Sequence, residues 1–412
     1  MTLDRRSLLA AGASALPAAA AAQPRAARGP GPFRRGLGVH NAMNWARIEP
    51  WPAKAYVWPP FQDKAYQISD TEIAAIAQAG FDFVRLTLDP GLFIQSSQNA
   101  HWPELMTILG QAQRRFMAAG LKTILDLHPN SQHEDYGPAD LTEGVSAPMF
   151  QAYQRMTGML AEAAAHMPRG WVALELMNEP PVQTALWQPM AEALHRTARQ
   201  AAGPALILVV GGGASGVWEG LTALDPKPFA GSNVLFTFHY YEPYNFTHQG
   251  LPTAPAKHVR GLRWPATLND EAVTLRLAEQ AVSADAAVVR KAKPDAFAKA
   301  RGIVDGYTRR GEGPEVVDLV FDRVAAWADA AGVPRQRVLL GEFNCARSTN
   351  DIQRASDGDR LGWVRHVRQA AETRGWSWAL WAYRGQGGMA LAGEGPTPAL
   401  EVAALQALGL NA

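Results

Sequence analysis

The stretch SDTEIAAIAQAGFDFVRLTL, residues 69–88, holds the repeating unit from which the fold can be read. Ser69-Asp70-Thr71-Glu72 has the pattern of a helix start, in which the serine side chain and the glutamate three residues on satisfy each other's backbone N–H groups. The helical run over residues 70–78 stops at Gly80, the residue that most easily takes the left-handed conformation closing a helix. Residues 81–88 follow, nearly continuously apolar, as in a strand buried on both faces. Outward from this unit, strand-like runs recur at 36–40, 121–127, 172–177, 205–210, 234–239, 338–340 and 376–381. Helix-like stretches over 102–119, 149–166 and 187–201 end at or near Gly120, Gly170 and Gly203. Strand–helix alternation of this kind, with eight strands in order, argues for the α/β class and one closed (β/α)8 barrel over 34–412. An open doubly wound sheet is the alternative that the same alternation allows.

A barrel demands that functional groups sit just after the strands, at the C-terminal rim. The polar residues that end the runs are His40-Asn41, Arg85, Asp126 and His128, Asn178-Glu179, the 211–216 loop, His239 with Tyr241, Glu342 and Trp381. So placed, they converge on one mouth. The interval after the sixth run is far longer than an ordinary connection, and 243–335 is read as an insertion covering one side of the cleft. It holds helix-like segments near 270–290 and 316–331.

Composition narrows the function. The 412 residues are 47% hydrophobic and 19% charged, enough to bury a large core. Lys and Arg total 39 against 38 Asp and Glu, so there is no electrostatic footprint for nucleic acid. Cys345 is the single cysteine, which forbids an internal disulfide or a Cys-rich metal cage. The chain begins with Arg5-Arg6 and an Ala-rich apolar run to Ala22, read as a signal peptide of the twin-arginine type over 1–22. A Pro/Gly/Arg-rich linker follows over 23–33. Export to the periplasm or medium is expected, and no later segment has the 18 consecutive apolar residues of a membrane span.

Two glutamates end strand-like runs: Glu179 in Leu174-Glu175-Leu176-Met177-Asn178-Glu179-Pro180, and Glu342 in Leu340-Gly341-Glu342-Phe343. Cleaving a glycosidic bond takes one protonated carboxyl beside the leaving oxygen and one ionised carboxyl near the anomeric carbon. The fourth and seventh strands face each other across a barrel mouth, a suitable place for such a pair.

With Asn178-Glu179-Pro180 after one strand and Gly341-Glu342-Phe343 far downstream, the sequence resembles the cellulase family of retaining glycoside hydrolases, family 5. The resemblance implies Glu179 as acid/base and Glu342 as nucleophile. It further implies Arg85 and Tyr241 as supports of the nucleophile, and His128, Asn178 and His239 as residues around the substrate. Trp381 becomes the floor of the cleaved sugar's site. Asn41 matches the first-strand pattern only loosely and is carried as a substrate-side residue. The implied substrate is a β-linked polysaccharide or oligosaccharide, with a β-1,4-glucan first and mannan or another β-glucan behind it. No cofactor or metal is implied, and a monomer is expected. A carboxyl separation of about 5–5.5 Å is expected for retention. Arg85 and Tyr241 are expected to depress the pKa of Glu342.

Other readings compete. Gly211-x-Gly213-x-x-Gly216 fits a dinucleotide fingerprint, but lies late in the chain with no acidic partner at the right spacing. Its plainer reading is a glycine-rich barrel loop, with Trp218 as a sugar platform. Ser215 fails the nucleophile-elbow pattern because Val217 stands where glycine is needed. Asp126, His128, His40 and His239 could be imagined around a metal, though no His-x-His or His-Glu-x-x-His appears. A silent polysaccharide-binding barrel is the non-enzymatic rival. Trp45, Trp51, Trp58, Trp102 and Trp187 are either sugar platforms or packing residues.

Overall fold

The computed structural model describes residues 33–411 except 51, 65, 66, 232, 386, 387, 394, 396 and 397. The signal-peptide expectation, nearly all of the linker and Trp51 fall outside the described residues. Eight parallel strands close into a barrel in sequence order: β1 Arg35–Met43, β2 Phe83–Leu88, β3 Lys122–Leu127, β4 Val172–Glu175, β5 Ile207–Gly211, β6 Val234–His239, β7 Val338–Glu342 and β8 Ser377–Leu380. Closure is made by β1 on β8, with Leu37 opposite Leu380. The open-sheet alternative is thereby excluded.

The unit around residues 69–88 folds as its sequence requires. Helix Asp70–Ala79 carries the full reciprocal cap between Ser69 and Glu72, and Gly80 closes it at φ 104°. Helices Trp102–Ala118, Pro148–Ala165 and Thr184–Ala202 lie close to the expected bounds. They cover the outward strand residues, such as Leu86, Leu125, Leu174 and Leu208, in the main apolar core.

Strand alternation organises the inside of the barrel. Phe33, Phe83, Ile124, Ala173, Val209, Leu235, Leu339 and Ala379 form a separate apolar cluster that plugs the floor. Because side chains alternate, a step of two residues along each strand reaches the next inward layer. On β2, β3 and β4 that step gives Arg85, Asp126 and Glu175, all buried. After β8 it gives Trp381. The polar site thus rests directly on a solid hydrophobic plug.

The segment between β6 and β7 differs in part from expectation. Helix Pro314–Ala330 is the barrel's own covering helix, packing Phe321 against Phe238 and Tyr240. The added part therefore ends before residue 314. It contains helices Tyr244–Thr247, Glu271–Ala284 and Lys293–Arg310, the last of which the sequence reading did not resolve. Among the described residues no helix is long and apolar enough to cross a membrane.

Candidate active site

At the C-terminal rim lies a cleft of about 420 Å³, with walls that include His40, Asn41, Trp45, His128, Glu179, Tyr241, Glu342 and Trp381. Arg85 stands beneath it and ties the layer together. Its Nε and Nη2 donate to the two oxygens of Glu175 at 2.7 and 2.8 Å, Nη1 donates to Glu342 Oε1 at 2.6 Å, and Nη2 also donates to Asn178 Oδ1 at 2.7 Å. Asp126 Oδ2 lies 3.1 Å from Nη2 and 2.8 Å from Nδ1 of His128. His128 Nε2 is 3.3 Å from the Asn178 amide nitrogen. The His128 ring stacks parallel to Trp381 with centroids 5.4 Å apart, and Asn344 donates to the Trp381 carbonyl at 2.5 Å.

The two glutamates are differently held. Both oxygens of Glu342 accept hydrogen bonds, Oε1 from Arg85 and Oε2 from the Tyr241 hydroxyl at 2.9 Å. Burial, then the charge of Glu342, keep Tyr241 protonated and therefore a donor. Glu179 follows β4 with φ 42° and meets Nδ1 of His239 at 2.8 Å through Oε1. Its side chain is 37% exposed to the cleft, against 6% for Glu342. Glu179, His239 and Glu342 each bring one oxygen or nitrogen within 4.8 Å of the others. Such a group could hold a cation. The two carboxyls thus approach each other closely enough to face one reacting bond together.

Burial pushes Glu179 up to about 7, opposed by Arg85 and reinforced by Glu175. The expected depression of Glu342 does not occur. Burial pushes it up to about 7 as well, because desolvation outweighs the pull of His239 and Arg85, while Glu179 and Asp126 add to the rise. Burial likewise raises Asp126 to about 7. The two glutamates of the pair are therefore raised into the same range. With both Glu342 oxygens engaged as acceptors, the pair's last proton belongs on Glu179. Burial is the chief cause that lowers the pKa of His239, against the pull of Glu342.

The glycine-rich loop after β5 contacts this acid, and nothing about it requires a phosphate ligand. Ser215 N–H donates to Pro180 O at 2.8 Å, and Ala214 N–H to Val182 O at 2.6 Å. Gly216 has φ 72°, and a Cβ there would lie 3.1 Å from Glu179 Cγ. The loop is thus a buttress for the Asn178–Pro180 turn. Trp218, just beyond it, is not among the residues lining the cleft. It packs half-buried against the core under the guanidinium of Arg323, 5.4 Å from the ring centroid. Trp187 is buried and donates to Gly211 O at 2.9 Å, a packing role. Trp102 meets Phe93 edge-on.

The other candidate site residues, Asn41, Arg85, His128, Asn178, Glu179, His239, Tyr241, Glu342 and Trp381, line the cleft or bond to residues that line it. Glu175 and Asp126 were not foreseen as the partners of Arg85; the signal was their position two residues beyond apolar plug residues. The stacked pair Tyr244 and His248, with ring centroids 3.8 Å apart, was also missed. With Leu251 and Thr253 it brings the added segment to the cleft wall.

The family model described as cellulase, glycosyl hydrolase family 5, matches residues 41–387. The chain belongs to this family. Among curated relatives, Endoglucanase 3 of Fibrobacter succinogenes is 23% identical over 341 residues, covering 78% of this chain and 47% of that protein. Cellodextrinase A of Ruminococcus flavefaciens is 23% identical over 191 residues, covering 46% of this chain and 55% of that one. The chain thus spans about half the length of the curated relatives it matches. Among solved structures, the cellulose synthase subunit Z of Clostridioides difficile superposes with TM-score 0.63 at 20% identity, covering 91% of this chain and 99% of that one. Thermotoga maritima Cel5A gives 0.64 at 18% identity, covering 91% and 97%. At these identities the superpositions speak to the fold of this cellulase-family member.

Proposed function

We propose that the chain is a retaining β-glycoside hydrolase acting within a β-1,4-linked glucan. The observation that carries this reading is the unequal bonding of two close carboxyls: Glu342 serves only as an acceptor, while Glu179 faces the cleft. Glu342 attacks the anomeric carbon as the bond to the leaving oxygen breaks, and Glu179 delivers its proton to that oxygen. Glu179 then takes a proton from water, whose oxygen displaces Glu342 and frees the sugar. Arg85 and Tyr241 orient the nucleophile, and Trp381 supplies a flat apolar face beneath the reacting ring. The endoglucanase and cellodextrinase relatives support a glucan substrate. One fold neighbour has been solved with cellobiose and with mannotriose, which supports β-mannan as a second reading. The Arg5-Arg6 start and the Ala-rich run to Ala22 support export by the twin-arginine route.

The test is intact-mass spectrometry after exposure to 2-deoxy-2-fluoro glycosides of cellobiose and mannobiose. One sugar adduct on Glu342 is the expected result, and the reagent that reacts faster reports the sugar. An adduct on another residue would overturn the assignment. No adduct and no turnover, in folded protein that still binds the polymer, would make this a binding barrel.

A further inference from the structure

The added segment carries an uneven charge. From Arg290 to Arg310 it holds seven Lys and Arg against Asp295 and Asp305, in a chain whose totals are 39 and 38. Five of the seven lie on the helix Lys293–Arg310, whose apolar side is already used. Ala300, Val304 and Tyr307 are buried in the main core, and the Tyr307 hydroxyl donates to the Arg263 carbonyl at 2.6 Å. The outer side is left cationic. Among the described residues, the one carboxylate partner of this stretch is Glu312, 2.9 Å from Arg310. Arg290, Lys291, Lys299 and Arg309 are exposed to water.

A groove of about 450 Å³ opens on this face, lined by Lys299, Gly302, Ile303 and Arg310 of the helix and by Asn245 and Pro255. Its far wall is also a wall of the cleft, because Tyr244, His248, Leu251 and Thr253 of the same segment face the reacting site. Phe246, in the turn that holds both Tyr244 and Asn245, lies ring to ring with Tyr307 at 6.4 Å and fixes the helix to that wall. Gly302 deepens the groove. A Cβ there would meet no atom within 4 Å, so packing does not require a glycine at this position. Glycine inside a helix costs about 1 kcal/mol relative to alanine. Two hollows of opposite character thus share a wall: the cleft carries Glu179 and Glu342, the groove Lys299 and Arg310. Acidic groups on a bound chain are repelled from the first and drawn to the second. A lipid surface fits less well, because the apolar side of the helix is not free to insert.

We propose that this groove receives acidic substituents, carboxylates above all, of a glycan whose backbone lies in the cleft. The substrate is then an anionically substituted β-glucan, and the added segment selects it by charge. The proposal rests on the hydrolase reading for the backbone; the selection by charge is measured as binding, without turnover.

The test compares carboxymethylcellulose with hydroxyethylcellulose, which share a β-1,4-glucan backbone and differ in charge. Binding is titrated with the full chain carrying Glu342→Gln, alone, with Lys299→Glu and Arg310→Glu together, and with Gly302→Leu. The parent should bind the acidic polymer about tenfold more tightly. That advantage should vanish in about 1 M salt, where charges beyond about 3 Å are screened. Reversing the two charges should remove the same factor of about ten and leave affinity for hydroxyethylcellulose unchanged. Gly302→Leu should do likewise by filling the groove, with a thermal midpoint no lower than the parent's. With Glu342 intact, the charge-reversed protein should show a raised KM on the acidic polymer alone and an unchanged kcat. Equal affinity of the parent for the two polymers would overturn the proposal, as would equal loss on both or a preference that survives charge reversal. Charge-dependent capture by anionic phospholipid vesicles, with no preference between the polymers, would make this face a membrane contact instead. If the acidic polymer is preferred yet neither is cleaved, the groove stands and the hydrolase reading falls. If both are bound and cleaved alike, the reverse holds.

Discussion

Arg85 is a residue for which no other side chain substitutes. Its planar fork serves Glu175, Glu342 and Asn178 at once, with Asp126 alongside. A lysine ammonium presents its donors from one atom and cannot span that set. Arg85→Lys should therefore lower stability by about 3 kcal/mol or more, read in denaturant unfolding, because buried carboxylates lose their partner. Glu342→Gln should keep the fold, judged by circular dichroism, and reduce turnover by about 10⁴-fold or more. For Glu179→Ala, azide should restore cleavage of aryl glycosides with good leaving groups, since the glycosyl-enzyme still forms. The pH profile has a definite sign. With Glu179 raised to about 7, kcat/KM should fall as pH rises through that region and the acid loses its proton. It should fall again on the acid side, where Glu342 gains one. In Glu179→Ala, assayed on an activated aryl glycoside, the alkaline limb should vanish; its survival would assign that limb to another group.

At the scale of elements, the loop after β5 does for Glu179 what Arg85 does for Glu342. Gly216→Ala forces a side chain into a left-handed position and toward Glu179 Cγ. A loss of about 1–2 kcal/mol in stability is expected, with kcat reduced more than KM is raised, as steady-state kinetics would show. This loop also marks what the sequence discloses. Its glycine spacing was visible, but the same spacing serves a phosphate cradle or a tight protein contact. Only the neighbouring Asn178–Pro180 turn decides between them. Strands were legible because parallel strands buried on both faces read as apolar runs. Glu179 and Glu342 were legible because each closes such a run within a motif. The ion layer was half legible: alternation points Arg85, Asp126 and Glu175 inward, yet their pairing exists only once the barrel closes. The setting of Trp218 was not legible because its ring partner, Arg323, is over a hundred residues away in sequence. The direction of the Glu342 shift was misread for a similar reason, since the depth at which a carboxyl is buried is a tertiary fact.

For the whole molecule, that burial links acidity to stability. Asp126, Glu179 and Glu342 are all raised to about 7 by burial, whereas in an unfolded chain such groups titrate near about 4. Between those values the native state binds more protons, so stability falls as pH rises across the window and levels off above it. Thermal unfolding midpoints should be higher at pH 5 than at pH 8, and Glu342→Gln should flatten the slope; a midpoint that climbs with pH would contradict this. The Phe33 plug has a practical consequence. The described chain enters through the barrel floor, where Phe33 packs on Phe83 and its carbonyl accepts from Ser377. Near its other end, the carbonyl of Gly409 accepts from Arg35 at the same floor. Attachment to a bead or surface through either end would leave the mouth facing outward, open to a polymer too large to diffuse beneath the protein.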